Sequence, residues 1–118
     1  MRLRFPKTAR LTRAAEFQRV KAKGDSFHGK LLILSVLKTP GLPETKIGLI
    51  TTRRLGGAVA RNRTRRRIRE IVRTILPRVA GGVHLVIIAR KSAAAAPFEE
   101  LRNEWLRLAD RAALLEEG

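Results

Sequence analysis

The chain has 118 residues, of which 44% are hydrophobic, so we expect one globular domain with a single core over residues 1–118. Its 26 Lys and Arg against 10 Asp and Glu give a net charge of +16, which favours a polyanionic partner such as nucleic acid. The sequence has no Cys, which excludes disulfides and thiol chemistry, and its apolar runs are too short to cross a bilayer. We therefore expect a cytoplasmic domain with no membrane partner.

The first half of the chain predicts one helix followed by strands. Thr12 can cap a helix that runs to about Lys23. Lys30–Lys38, dense in Leu, Ile and Val, predicts a strand, and Lys46–Arg53 predicts another. Gly48 lies inside the second of these strands, where it either divides the strand or allows another backbone to approach closely.

The second half predicts two helices around one buried strand. A helix spans about Ala58–Leu76, and the continuous apolar run Val83–Ala89 is typical of a strand covered on both faces. Pro97 suits the first turn of a last helix, whose apolar stripe consists of Phe98, Leu101, Trp105, Leu108, Ala112 and Leu115. The order helix, two or three strands, helix, strand, helix predicts an α/β sandwich.

Positive charge is concentrated in the first two thirds of the chain. Residues 1–80 hold 21 of the basic residues and four of the acidic ones, whereas residues 81–118 hold five basic and six acidic residues. We therefore expect residues 1–80 to carry the nucleic-acid contacts and the last third to serve as scaffold. Arg outnumbers Lys by 19 to 7, which suits phosphate and base contact, with a coding bias towards Arg as the alternative explanation.

The densest cluster of cations is the segment 61–73, which contains seven Arg. At about 100° per residue along a helix, its apolar side chains converge on one face, made of Ile68, Ile71, Val72, Ile75 and Leu76. Another face collects Asn62, Arg66, Arg69 and Arg73, while Arg63 and Arg67 lie further round. Such a run is usually a solvated face, but the near absence of compensating Glu and the preference for Arg favour contact with RNA or DNA phosphates.

The segment Arg53–Glu70 resembles the signature of a known family, the protein subunit of bacterial ribonuclease P. It has the family's Gly, an Ala-Val pair and an Arg-Asn-Arg core at matching spacing. Two further matches are Phe17–Val20 with Gly24 on the first helix, and Ile87–Lys91 at the last strand. Together the matches extend from about residue 9 to residue 105, nearly the whole chain.

The resemblance implies both a fold and a function. The fold is α+β, an α-β-β-β-α-β-α chain whose four-stranded sheet contains a left-handed βαβ crossover, which general handedness rules disfavour. The function is to help a catalytic RNA remove the 5′ leader from precursor tRNA, in a holoenzyme of one protein and one RNA. Mg²⁺ would be held mainly by the RNA, and the protein alone would hold no cofactor or metal.

Site residues follow from the resemblance position by position. The RNA-facing set lies on the arginine-rich helix and just before it: Arg53, Arg54, Arg61, Asn62, Arg63, Arg65, Arg66, Arg67, Arg69 and Arg73. The cleft for the single-stranded leader, between the first helix and the sheet, would be lined by Phe17, Lys21, Ser35 and Thr52. Lys21 stands where the family often has a second aromatic residue, and Ser35 or a neighbouring aliphatic residue stands where it often has an aromatic residue in the first strand. We therefore expect leader binding to depend more on charge than on stacking. Phe17 has two interpretations, a core residue beside Ala14 and Val20 or a ring that stacks on leader nucleotides.

No arrangement of side chains indicates a protein-borne nuclease. The acidic residues of the basic region are scattered, and Glu99, Glu100 and Glu104 lie beside the apolar stripe of the last helix, where they favour a helix N-terminus. His28 and His84 are isolated, which favours strand or loop positions. We therefore expect no catalytic residue in the chain. The competing interpretation is a standalone basic RNA- or DNA-binding protein of ribosomal type, which the arginine-rich helix alone would permit.

Overall fold

The computed structural model describes residues 11, 13–39, 45–75 and 82–114. Within them, the helices and strands follow one another in the order α1 (Ala14–Lys23), β1 (Asp25–His28), β2 (Leu32–Lys38), β3 (Lys46–Thr51), α2 (Ala58–Ile75), β4 (Val83–Ala89) and α3 (Phe98–Arg111). Short 3₁₀ turns precede α2 and α3, at Arg53–Leu55 and Lys91–Ala94. The expected α-β-β-β-α-β-α order is confirmed. The predicted cap Thr12 and the predicted helix residues Leu76 and Leu115 lie outside the described residues.

The strands form one four-stranded sheet in the order β1-β2-β4-β3. β2 lies antiparallel to both of its neighbours, whereas β3 and β4 are parallel and are connected through α2. This connection is the expected βαβ crossover, and its left-handed sense stays a prediction of the resemblance. In the sheet register, Ile88 of β4 is the partner of both Ile33 on β2 and Ile50 on β3, so these three side chains form one row, the isoleucine row.

The two faces of the sheet are covered unequally. On one face, α2 and α3 pack through residues such as Ile68 and the fully buried Trp105 onto side chains of β2 and β4. On the other face, α1 packs through Val20 against Val86 and leaves the isoleucine row half-buried. Since α1 has 10 residues while α2 and α3 have 18 and 14, the α1 face is the more open one.

β1 is a short polar strand that hydrophobic patterning does not reveal. Three of its four residues are exposed, and the fourth, Phe27, is half-buried. It is held by backbone pairing to β2 and by Ser26, whose Oγ lies 3.0 Å from the Oγ of Ser35. Because Phe27 is the one β1 side chain that packs against the core, the strand carries no apolar run. The patterning left two or three strands open before α2, and the resemblance gave the correct number of three.

The apolar stripe of α3 is confirmed except at its first residue. Leu101, Trp105, Leu108 and Ala112 are buried, but Phe98 is 38% exposed, so the prediction that it belongs to the core is wrong. Side chains on a helix tilt towards its N-terminus, so the first residue of α3 projects past the end of the packed layer. The buried part of the helix begins one turn later.

Glu104 is a buried carboxylate that fastens α3 to the turn between β1 and β2. It is 3% exposed and accepts three backbone N–H groups, from Lys30 at 2.9 Å and from Leu31 and Leu32 at 2.7 Å each. Gly29 makes room for it, because a Cβ there would lie 2.6 Å from the carboxyl carbon. The interpretation of Glu104 as a charge that favours the helix N-terminus is therefore wrong, since its carboxylate satisfies the buried N–H groups of a turn.

Candidate nucleic-acid interface

The arginine-rich helix α2 buries one face and exposes a cationic one, as its spacing predicted. Its buried residues are Thr64, Ile68, Ile71, Val72 and Ile75. Its exposed residues include Asn62, Arg66 and Arg69, and Arg61 is half-buried. Because the buried face is fixed by the core, the cationic side chains extend from a rigid backbone. Guanidinium groups spaced along one helix face match the phosphates of a nucleic-acid backbone.

Two of the predicted arginines hold neighbouring backbone in place. Arg63 Nη2 donates to the carbonyl of Ala94 at 3.0 Å, and Arg67 Nη1 donates to that of Ala96 at 2.9 Å. These bonds tie α2 to the turn that leads into α3. Arg67 is also half-buried. The structure therefore gives Arg67 a role in the fold, on a different face of α2 from the exposed Arg66.

Three further predicted arginines, Arg53, Arg54 and Arg73, lie at the two ends of α2. Arg73, in its last turn, forms an ion pair with Glu70. Arg53 and Arg54 are exposed in the turn before the helix. The chain enters α2 through Gly56, whose φ of 140° is a conformation that other residues rarely adopt. The backbone at this entry thus positions the two cations beside the start of α2.

A groove between α1 and the end of β3 brings together members of both predicted sets: Phe17 and Lys21 of the leader cleft and Arg65 of the RNA-facing residues. It is lined by Phe17 and Lys21 from α1, Thr51 from β3 and Arg65 from α2, together with Ala14, Gln18, Leu49 and Ile50. Arg65 Nη2 donates to Thr51 Oγ1 at 2.7 Å, which holds the guanidinium at the edge of the groove. Cations from two helices and one aromatic ring line the same groove, a combination that suits a single nucleic-acid strand. We name it the α1 groove.

Phe17 is both packed and accessible. Its ring lies over β3 at Gly48, where a Cβ atom would stand 2.4 Å from Phe17 Cε1. The close approach that Gly48 permits is therefore to this ring and not to a second backbone. The ring packs against a small cluster of Leu11, Val20 and Val86, yet it is half-buried and lines the α1 groove. The ring is therefore partly a core residue, and its stacking on leader nucleotides stays a prediction.

Ser35 does not line the α1 groove. It is 2% exposed, and its hydroxyl is hydrogen-bonded to that of Ser26. Its partner in the sheet register is Val86, which is covered by α1. The structure thus corrects the expected place of Ser35 in the leader cleft, because the helix lies over this row of the sheet.

Thr52 lines a second groove, at the carboxyl ends of β3 and β4. Its other lining residues are Ile33 and Ile88 of the isoleucine row and the polar residues Arg54, His28, Arg90 and Lys91, with Ala89. We name it the sheet groove. Three of these polar residues, His28, Arg90 and Lys91, were not predicted as site residues. The Ile87–Lys91 match to the family was a signal for two of them, whereas His28 comes to the groove through its pairing with Ile33, on a strand that patterning did not reveal.

His84 is a strand residue, as expected. Burial lowers its pKa, and the positive charges of Lys46 and Arg19 lower the pKa further, against an opposing effect of Glu16. Its ordinary pKa is 6.5. The half-buried imidazole is therefore neutral at neutral pH.

The acidic side chains near the basic surface are engaged in local contacts. Glu16 accepts the N–H of Arg13 at 3.1 Å and lies 3.7 Å from Lys46 Nζ, and Glu70 contacts Arg73. In the part of the chain that the structure describes, no three His, Asp or Glu side chains form a group that could hold a metal ion. No helix in that part is long and apolar enough to cross a membrane.

Comparisons with known proteins agree on one family. The family model described as Ribonuclease P matches residues 5–113. A ribonuclease P protein component from Symbiobacterium thermophilum is 43% identical over 110 residues, covering 93% of this chain and 96% of the relative. One from Chloroflexus aurantiacus is 42% identical over 108 residues, covering 90% of this chain and 78% of the relative.

Solved structures show the same fold. The RNase P protein of Staphylococcus aureus superposes with a TM-score of 0.85 at 24% identity, covering 93% of this chain and 100% of that one. The RNase P protein from Thermotoga maritima superposes with a TM-score of 0.77 at 26% identity, covering 92% and 98%. The four-stranded sheet with its three helices is therefore shared with both proteins.

Proposed function

We propose, because the chain belongs to the ribonuclease P protein family, that its basic surface binds a catalytic RNA and the 5′ leader of precursor tRNA. As a protein component of ribonuclease P, it is part of an endoribonuclease that is a ribonucleoprotein. The finer assignment of its RNA partners rests on the geometry of the surface. We further propose a holoenzyme of one protein and one RNA, located in the cytoplasm.

The observation that carries the proposal is the position of Arg65 between two basic surfaces. One is the exposed face of α2 with Asn62, Arg66 and Arg69. The other is the α1 groove, which Arg65 lines opposite Lys21 and Phe17. We assign the α2 face to the folded catalytic RNA, because its arginines are spaced along one face of a rigid helix.

The α1 groove is assigned to the single-stranded leader. A base can stack on the half-buried ring of Phe17, while Lys21 and Arg65 lie within reach of the backbone on either side. From there a strand can continue over the isoleucine row to Thr52 and Arg54 in the sheet groove. Ile50 in the α1 groove and Ile88 in the sheet groove are register partners, so the two grooves adjoin on one face of the sheet.

The chemistry of cleavage is assigned to the RNA and to Mg²⁺ that the RNA holds. Two-metal phosphoryl chemistry in proteins uses carboxylates that converge on one phosphate. In this chain Glu16 lies at the N-terminal end of α1, Glu70 contacts Arg73, and Glu104 accepts backbone N–H groups on another side of the fold. These three carboxylates do not converge, and the proposed role of the protein is to position RNA.

Reconstitution tests the proposal. The protein, freed of RNA, is added to a bacterial ribonuclease P RNA at low Mg²⁺, and release of the 5′ leader from precursor tRNA is measured. We expect cleavage to depend on both components, to weaken with Arg66→Ala, and to persist with Arg102→Ala, an exposed arginine on α3. Equal binding to unrelated RNA or duplex DNA, with no effect on cleavage, would instead support a standalone nucleic-acid-binding protein. Cleavage by the protein alone would overturn the assignment of chemistry to RNA.

A further inference from the structure

A third basic groove lies on the opposite side of β1 from the sheet groove, between the β1–β2 turn and α3. Its lining includes His28, Gly29 and Lys30 from the turn, Arg90 after β4, and Glu104, Arg107, Leu108 and Arg111 from α3. His28 and Arg90 also line the sheet groove. We name it the α3 groove. The cationic surface therefore continues from the open face of the sheet, around its β1 edge, to α3.

Each of the three arginines of the α3 groove contacts a neighbouring part of the fold. Arg90 Nη1 donates to the carbonyl of Gly29 at 3.0 Å. Arg107 Nη2 lies 3.7 Å from Glu104 Oε1, with its own side chain 70% exposed. The guanidinium carbon of Arg111 lies 5.9 Å from the centroid of the Phe27 ring. The guanidinium groups of Arg90 and Arg111 thus have protein partners that orient them before any RNA arrives, which lowers the entropy lost on binding.

The charge of the α3 groove is strongly one-sided. Among the described residues that line it, Glu104 is the one acidic side chain, and its oxygens already accept three backbone N–H groups. This one carboxylate, which pairs with Arg107, stands against Lys30, Arg90, Arg107 and Arg111, so the groove keeps an excess of positive charge. This cluster also departs from the sequence expectation, because Arg90, Arg107 and Arg111 come from the nearly neutral last third of the chain.

We propose that the α3 groove is a further RNA-binding surface, which binds the phosphate backbone of an RNA segment other than the leader and other than the segment that contacts α2. The fit is to backbone and not to bases, because the groove offers guanidinium and ammonium donors, while the nearby ring of Phe27 is covered by Arg111. The phosphates come either from the catalytic RNA or from the body of precursor tRNA. The inference rests on the proposed function, since it takes RNA as the partner.

The test uses the double variant Arg107→Ala/Arg111→Ala, with Arg102→Ala as the matched control. All three are exposed arginines on α3, but Arg102 does not line the groove. Affinity is measured over a salt series, first for the catalytic RNA and then for leaderless tRNA with the assembled holoenzyme. We expect the double variant to bind one of them several-fold more weakly, with a log–log salt slope smaller by about 0.9 per phosphate contact on the duplex scale. The RNA that loses affinity identifies the source of the phosphates.

Two comparisons separate this surface from a structural effect and from the proposed function. Arg107→Lys/Arg111→Lys keeps both charges and should restore most of the affinity, whereas a contribution through packing alone would not be restored. The melting temperature of the double Ala variant should stay close to that of Arg102→Ala. If both RNAs bind the double Ala variant as tightly as the control, the inference is wrong. Weaker binding by Arg66→Ala in the same assay would then leave the proposed function standing.

Discussion

The ring of Phe17 occupies the space above Gly48, where a Cβ atom would lie 2.4 Å from Cε1 and 2.6 Å from Cζ. This contact places an aromatic side chain of α1 against the edge strand β3 and orients it along the α1 groove. A Cβ atom cannot come so close to a ring carbon, so the ring or the strand must move if position 48 gains a side chain. The shape of the α1 groove therefore depends on a glycine in the sheet.

Gly48→Ala should destabilise the protein and weaken leader binding together. Overpacking of this kind costs about 1–3 kcal/mol, which lowers the melting temperature measurably. If Phe17 is displaced from the groove, affinity for precursor tRNA with a leader should fall relative to mature tRNA. The double variant Gly48→Ala/Phe17→Ala should recover part of the lost stability, because the clash is gone. Unchanged melting temperature and unchanged leader affinity for Gly48→Ala would contradict the contact.

Phe17→Ala should weaken binding of precursor tRNA that carries a leader of several nucleotides and leave mature tRNA nearly unaffected. Loss of one stacked base costs about 1–3 kcal/mol of binding free energy. Because the ring also packs on Leu11, Val20 and Val86, we expect a moderate loss of melting temperature as well. Affinity and melting temperature are therefore measured on the same preparation. Equal losses for both tRNAs would show that the ring acts through folding alone.

Lys21→Ala provides the electrostatic counterpart on the same wall of the groove. Lys21 is exposed and lines the α1 groove with Phe17. Its replacement should weaken leader binding at low salt, with a loss that shrinks as the salt concentration rises, because screening removes the attraction. The loss for Phe17→Ala should change far less with salt. A loss for Lys21→Ala that is independent of salt would argue against a phosphate contact.

The sequence predicted most of the fold because the pattern of apolar residues indicates most of its helices and strands. The cationic and apolar faces of α2 follow from spacing, and the buried strand β4 follows from its continuous apolar run. β1 has no such pattern, since its residues are mostly exposed and its pairing is made by backbone and by Ser26. Phe98 shows what spacing cannot predict. The spacing of apolar residues identifies which face of a helix is buried, but not at which residue along the helix the burial begins.

The site was less predictable, because it depends on tertiary partners. Arg67 and Arg66 are neighbours in an arginine run, yet Arg67 donates to the carbonyl of Ala96 while Arg66 is exposed on another face. Helical spacing placed Arg67 further round the helix than Arg66, but it did not show that a carbonyl of the turn before α3 would accept from Arg67. Arg107 and Arg111 lie in a nearly neutral part of the sequence, so the distribution of charge along the chain did not predict that they line a groove with Lys30. A count of charges along the sequence does not show which of them the fold brings together.

Arg66→Ala and Arg67→Ala should therefore separate binding from folding. Arg66→Ala should weaken binding to the catalytic RNA and reduce its salt dependence, with the melting temperature nearly unchanged. Arg67→Ala should lower the melting temperature by removing a hydrogen bond from a charged donor, worth about 1.5–3 kcal/mol at most. Binding assays and thermal melts on both variants check the pair. The assignment fails if Arg66→Ala is the less stable of the two.

Glu104→Gln tests whether this buried carboxylate serves the fold or the chemistry. Oε2 accepts the N–H groups of Leu31 and Leu32, and Oε1 accepts that of Lys30. An amide in the same place turns an NH₂ group towards at least one of these donors, which costs about 1–3 kcal/mol because a buried N–H then lacks its acceptor. We expect a lower melting temperature, and Glu100→Gln, exposed on the same helix, should leave it unchanged.

At a temperature where the Glu104→Gln variant is folded, the holoenzyme should cleave at its normal rate with saturating substrate. A normal melting temperature with a loss of cleavage rate would mean that Glu104 takes part in the reaction, and the assignment of chemistry to RNA would have to be abandoned.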